Sequence, residues 1–238
     1  MSSMSSTKIA LIDTSSIIDL FDKTHRINSP AFKKIRRLVK QKRVLILPSI
    51  LHELENKTAR QSNNKSTIDK LVLYTKRSKK HLKTLNKRLI RGLTGLSWQV
   101  FEEYLFLKIN DMNNKLRLLY EKRRVDEFIH SSQSNQNGWT WYSGDITMLA
   151  TSTILMDYAN TLLHGKIVPV IVSEERTSLD LYKTPKSLMY QLQHCIQNNQ
   201  VRNPLLNNPI KIPDVCTIFD IIHYPLWDLL ADTDFETN

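Results

Sequence analysis

Glycine and cysteine are scarce in this 238-residue chain, at five and two, and each shortage excludes something. So few glycines rule out a collagen-like or glycine-rich low-complexity polymer. Cys195 and Cys216 have no metal-type spacing, and they fit a reducing compartment better than a disulfide framework. No stretch approaches the roughly 18 apolar residues that a membrane-spanning helix needs. Met1–Thr7 is small and polar, without the apolar core of a secretory signal, and reads as a frayed tail over residues 1–7. An intracellular protein is expected, cytoplasmic or nuclear. A Walker loop, a dinucleotide fingerprint, a nucleophile elbow and Ser-His-Asp logic are all missing, as is any internal repeat.

Acidic residues are locally scarce too. From Lys57 to Arg91 twelve Lys/Arg face one acid, Asp69, a surplus equal to the net +11 of the whole chain. A second basic cluster holds Lys33, Lys34, Arg36, Arg37, Lys40, Lys42 and Arg43. Single-signed runs of this kind argue for a phosphate backbone as partner over a merely solvated surface. Lys76, Arg77, Lys79, Lys80, Lys83, Lys87 and Arg88 are the candidate RNA contacts.

Hydrophobic residues make up 41% of the chain, enough for one α/β domain over residues 8–238. Ile9–Ile12 is continuously apolar and reads as a buried parallel strand. Thr14-Ser15-Ser16 supplies cap chemistry for a helix through Ile17, Ile18 and Leu20. Pro30 opens a second helix, Val44–Leu47 forms a second strand, and Pro48 opens a third helix. Residues 57–70 read as loop or weak helix, and 71–91 as a basic helix broken at Gly92 and Gly95. Trp98–Phe101 reads as a strand or aromatic anchor, and Met112–Phe128 as one amphipathic helix. Residues 131–143 are a Ser/Gln/Asn-rich loop whose Trp139, Trp141 and Tyr142 either stack on bases or anchor it. A helix beginning at Asp145 ends at Gly165, and Ile167–Val172 is a strand. Val215–Ile218 is expected as a last strand, with a closing helix over Pro225–Leu230. Residues at about 57–95 and 184–211 are expected as insertions, the first a basic helical one. Alternating strands and helices predict a three-layer α/β/α arrangement around a central parallel sheet with right-handed crossovers.

In such sheets ligands lie beyond the carboxyl ends of the strands. Asp13 and Glu175 both follow a strand's carboxyl end, Asp145 opens a helix, and Glu53 lies in the early turns of another. A lone buried carboxylate such as Asp13 is costly without a cation or dense hydrogen bonding, so metal chemistry is the first expectation.

Four pieces in order resemble the PIN-domain family of metal-dependent ribonucleases: Ile-Asp13-Thr-Ser, Leu-Pro-Ser-Ile-Leu-His-Glu53-Leu, Gly-Asp145-Ile-Thr-Met-Leu-Ala and Val-Ile-Val-Ser173-Glu-Glu175. The likeness covers about residues 7–60 and 140–182 and is nearest to large eukaryotic members of the mRNA-decay type. It implies a PIN-like fold and metal-dependent endonucleolytic hydrolysis of single-stranded RNA, with RNA-decay factors as partners. By the same resemblance Asp13 and Asp145 are direct ligands of Mg²⁺ or Mn²⁺. Glu53 and Glu175 bind through water or orient the attacking water, and Ser15 and Ser173 support them from behind. Hard cations of this type favour carboxylate oxygen and retained water, and they can activate water and neutralise developing phosphate charge.

Each acid also has a plain structural role open to it. Asp13 and Asp145 are good helix caps, and Glu53 suits a helix's positive end. Glu175 replaces the family's usual Asp, and Glu174 can serve in its stead. That substitution and the large insertions leave a degenerate, RNA- or protein-binding adaptor as the alternative function.

Overall fold

The computed structural model describes residues 7–24, 30–57, 82–130, 142–159, 167–177 and 186–231. Four strands form one all-parallel sheet: β1 (Thr7–Ile12), β2 (Val44–Leu45), β3 (Ile167–Val172) and β4 (Ile222–Tyr224), in the order β2-β1-β3-β4. β1 and β3 are paired from Thr7–Ile167 to Ile12–Val172, so their carboxyl ends stop level with each other. Their unbroken apolar runs suit strands covered on both faces; Ala10, Leu11, Val170 and Ile171 are fully buried.

Helices fill the crossovers. α1 (Thr14–Thr24) and α2 (Pro30–Lys40) join β1 to β2. The long path from β2 to β3 contains α3 (Pro48–Lys57), α4 (82–94), α5 (Trp98–Leu119), α6 (Lys122–Ile129) and α7 (Gly144–Ile154). α8 (Lys186–Asn198) and α9 (Ile212–Ile218) lie between β3 and β4, and α10 (Leu226–Ala231) follows. α2 packs against α10 and α1 against α3, while α5 packs against α7 and α8. Helices packed around an all-parallel sheet are compatible with a three-layer arrangement.

Several expected boundaries differ. Trp98–Phe101 is the first turn of α5, because Ser97 caps it by accepting the Val100 N–H at 3.3 Å; Phe101 is nonetheless a buried aromatic anchor. Met112–Phe128 is two helices, not one. The chain breaks at Tyr120–Glu121, where the carbonyls of Leu118 and Leu119 accept N–H groups of Asn203 and Leu205, each at 2.9 Å. α4 runs through Gly92 and stops at Gly95, whose φ of 71° is the left-handed conformation that glycine adopts freely. Val215–Ile218 is helical within α9, led by Pro213 in its first turn; the strand is Ile222–Tyr224 instead. The 186–198 helix lies inside the expected 184–211 insertion and buries Leu192 and Cys195 in the common core. The 1–7 tail (but for Thr7), the 58–81 stretch, Trp139, Trp141 and Gly165 lie outside the described residues. Among the described residues no helix is long and apolar enough to cross a membrane.

Candidate active site at the carboxyl rim of the sheet

Asp13 is the first residue beyond β1, and its own N–H continues the ladder by donating to the Val172 carbonyl at 2.9 Å. The side chain is 4% exposed. One oxygen, Oδ2, accepts the Ser15 N–H at 3.0 Å and the Ser15 hydroxyl at 2.5 Å, so Asp13 caps α1 as its structural alternative foresaw. The other oxygen, Oδ1, is buried and has no hydrogen-bond partner among the described residues. A buried carboxylate oxygen in that state is expensive, and a cation or a water would satisfy it.

Glu53 reaches the same rim from α3. Its Oε1 accepts the Gly144 N–H at 2.6 Å, and its Oε2 accepts the Thr14 hydroxyl at 3.1 Å. One carboxylate thus ties the residue after Asp13 to the residue before Asp145. Asp145 occupies the first turn of α7, but Ser143 is the residue that caps the helix, accepting the Ile146 N–H at 3.3 Å. Asp145 is therefore not the cap, and it is half-buried.

The remaining expected residues divide. Ser15 stands behind Asp13 and also accepts the Glu174 N–H at 3.1 Å, linking the ends of β1 and β3. Ser173 is buried and shares a 2.9 Å hydrogen bond with His223 Nε2 rather than with any of the four acids. Glu175 is directed to the start of α9, where it accepts the Ile212 N–H at 3.0 Å and faces Lys211 Nζ at 3.5 Å. Glu174 is engaged elsewhere, accepting the Leu226 N–H at 2.8 Å. Both serve helix starts, where a carboxylate meets free N–H groups and the positive end of the dipole.

Lys83, Lys87 and Arg88 are exposed on α4, with Lys87 Nζ 5.1 Å from the centre of the Trp98 ring. Lys76, Arg77, Lys79 and Lys80 lie outside the described residues. Tyr142 stacks on His130 and packs near Phe106, which makes it an anchor for its end of the loop.

Two groups escaped sequence reading. His223, on β4, lies within electrostatic reach of Glu174, Glu175 and Asp13; burial pushes its pKa down, and an interaction with the Ser173 backbone together with those acids opposes the shift. Asp214 is fully buried in α9, accepts the Thr177 hydroxyl, and acts electrostatically on both Tyr120 and Cys216. Asp145 also acts on Cys216, which brings α7 and α9 into one neighbourhood. The signal for both was weak, because an isolated His or Asp in a segment of uncertain type carries no pattern.

Among the described residues no three His, Cys, Asp or Glu side chains group closely enough to hold a metal ion by themselves. Mg²⁺ seldom asks for such a cage. It keeps several waters and takes one or two carboxylates together with substrate phosphate. The unpartnered oxygen of Asp13, with Asp145 held on the adjoining helix, fits that mode of binding. No protein family matches the chain, and no curated protein or solved structure is significantly similar to it.

Proposed function

We propose that the chain is a metal-dependent endoribonuclease of PIN type, hydrolysing phosphodiester bonds in single-stranded RNA. The observation that carries this reading is the buried, unpartnered Oδ1 of Asp13 at the carboxyl rim of a parallel sheet, where such folds place their ligands. Asp13 and Asp145 would hold Mg²⁺ or Mn²⁺. The bound ion would activate water and neutralise charge developing on the phosphate.

The chain's own groups do the rest. Ser15 fixes the Asp13 carboxylate by two hydrogen bonds to Oδ2, leaving Oδ1 without a hydrogen-bond partner among the described residues. Glu53 spends both oxygens on Gly144 and Thr14, so its role is to hold the two acid-bearing segments in register. Glu175 instead meets the Ile212 N–H and Lys211 at the start of α9. The exposed basic face of α4 attracts the RNA backbone.

The test is Mn²⁺-dependent cleavage of labelled single-stranded RNA. Asp13→Asn and Asp145→Asn are expected to abolish cleavage, and wild-type activity in either variant removes the proposal. A second reading, an RNA- or protein-binding adaptor of mRNA decay with a silent site, is favoured by the commitment of Glu174 and Glu175 to helix starts. RNA binding without any metal-dependent cleavage would select it.

A further inference from the structure

The surplus positive charge is distributed unevenly. On α5 and α6 five of the six cations are matched to acids: Lys108 to Asp157, Lys115 to Asp111, Arg117 to Asp126, Arg123 to Glu127 and Arg124 to Glu121. Beside β2 the pattern reverses. Lys33, Arg36 and Lys40 are exposed on α2, and Lys83, Arg88 and Arg91 are exposed on α4. None of these six pairs with a carboxylate among the described residues.

Both helices flank the same sheet edge. β2 is the terminal strand of the sheet, and α2 packs on it. α4 is pinned just beyond it, with Asn86 Nδ2 donating to the Ile46 carbonyl at 2.5 Å and Leu89 and Ile90 buried in the core. The spacings 33, 36, 40 and 83, 87, 88, 91 each keep their cations on one side of a helix. Like charges so arranged repel one another, and a polyanion relieves that repulsion while releasing its own counterions. Where α4 meets α5, the half-buried Trp98 lies beneath Lys87, which places an aromatic face beside the cations, as single-strand binders do.

We infer that α2 and α4 together form a single-stranded RNA docking surface along the β2 edge, gripping the phosphate backbone on both sides of that edge. The inference rests on the proposed function only for the choice of polymer. It adds a second helix, α2, to the binding face and gives the strand a path past β2.

The test measures fluorescence anisotropy of labelled oligouridylate with the full chain in EDTA, as a function of salt. Six backbone contacts give a log–log slope of about −4 for a single strand. Lys33→Glu/Arg36→Glu/Lys40→Glu and Lys83→Glu/Arg88→Glu/Arg91→Glu are each expected to reduce the slope to about −2 and weaken binding at least tenfold. The corresponding Gln variants, checked by far-UV circular dichroism, are expected to lose binding in the same order without loss of fold. Because binding is read in EDTA, where no metal-dependent cleavage occurs, failure of the nuclease reading and failure of this surface are read separately. A normal slope in the α2 variant overturns the inference. So does binding to phosphatidylserine vesicles in preference to RNA, which would mark the edge as a membrane-facing surface.

Discussion

Glu53 and Gly144 are 91 positions apart in the chain and meet through a 2.6 Å hydrogen bond in which the backbone N–H of the glycine donates to Oε1. Only glycine suits that approach. A Cβ at position 144 would fall 2.4 Å from Ile50 Cδ1 and 3.0 Å from both oxygens of Glu53. Ile50 is fully buried and has little space to retreat. Gly144→Ala is therefore expected to destabilise the fold by about 1–3 kcal/mol through overpacking. Glu53→Ala leaves the Gly144 N–H and the Thr14 hydroxyl without their acceptor and is expected to cost about 1–2 kcal/mol. Glu53→Gln, which keeps one carbonyl acceptor, should lose less. Urea denaturation ranks the three. An alanine variant at position 53 as stable as wild type would mean that the carboxylate bridges nothing of consequence.

That bridge explains how much of the site was legible. Asp13 follows a strand, Asp145 lies in the first turn of a helix and Glu53 lies midway along α3, and the boundaries of those elements are written locally in Ile9–Ile12, Pro48 and Ser143-Gly144. Convergence itself depends on a contact across 91 residues, which no local pattern encodes. Errors follow the same line. Val215–Ile218 and Trp98–Phe101 are short apolar or aromatic runs, and periodicity does not tell a buried helical turn from a strand at that length. Pro213 and Ser97 were the only local signals of helix. The break between α5 and α6 has no Gly or Pro; N–H groups from residues 203 and 205 take the α5 carbonyls, a purely tertiary cause. Glu175 was placed by its position after β3, whereas its longer arm carries the carboxylate to Ile212 and Lys211.

Asp13 offers a test of metal binding that needs no substrate. A ligand that binds the folded state alone adds about 2.7 kcal/mol at a hundredfold excess over its dissociation constant. Saturating Mn²⁺ is expected to raise the melting temperature of the wild-type chain by several degrees and to leave Asp13→Asn unchanged. Equal shifts in both proteins would place the ion elsewhere.

His223 gives the fold a pH dependence of definite sign. Burial lowers its pKa below the ordinary value of 6.5, so the unfolded chain takes up a proton at a pH where the folded chain does not. Stability contributed by the neutral ring is complete above that ordinary value and is lost as pH falls through it toward the lowered one. Denaturation midpoints measured between about pH 7.5 and about pH 5.5 should decline in wild type and decline less in His223→Gln. Identical slopes would show that the ring titrates alike in both states, with Glu174, Glu175 and Asp13 cancelling the effect of burial.

Tyr120 separates hydrophobic packing from hydrogen bonding within the core. Its ring is fully buried at the break between α5 and α6, yet its hydroxyl has no hydrogen-bond partner among the described residues. Burial, and secondarily the nearby Asp214, push its pKa far upward, so the group stays neutral. A buried hydroxyl without a partner forfeits its hydration and gains nothing in exchange. Tyr120→Phe keeps the ring and removes that penalty, and is expected to stabilise the protein by about 1 kcal/mol. The opposite sign, a loss of about 1 kcal/mol or more, would mean that the hydroxyl is bonded in solution, to Asp214 or to an internal water. Combining Tyr120→Phe with Asp214→Asn distinguishes those two partners, because only a direct bond to the carboxylate makes the effects of the two substitutions non-additive.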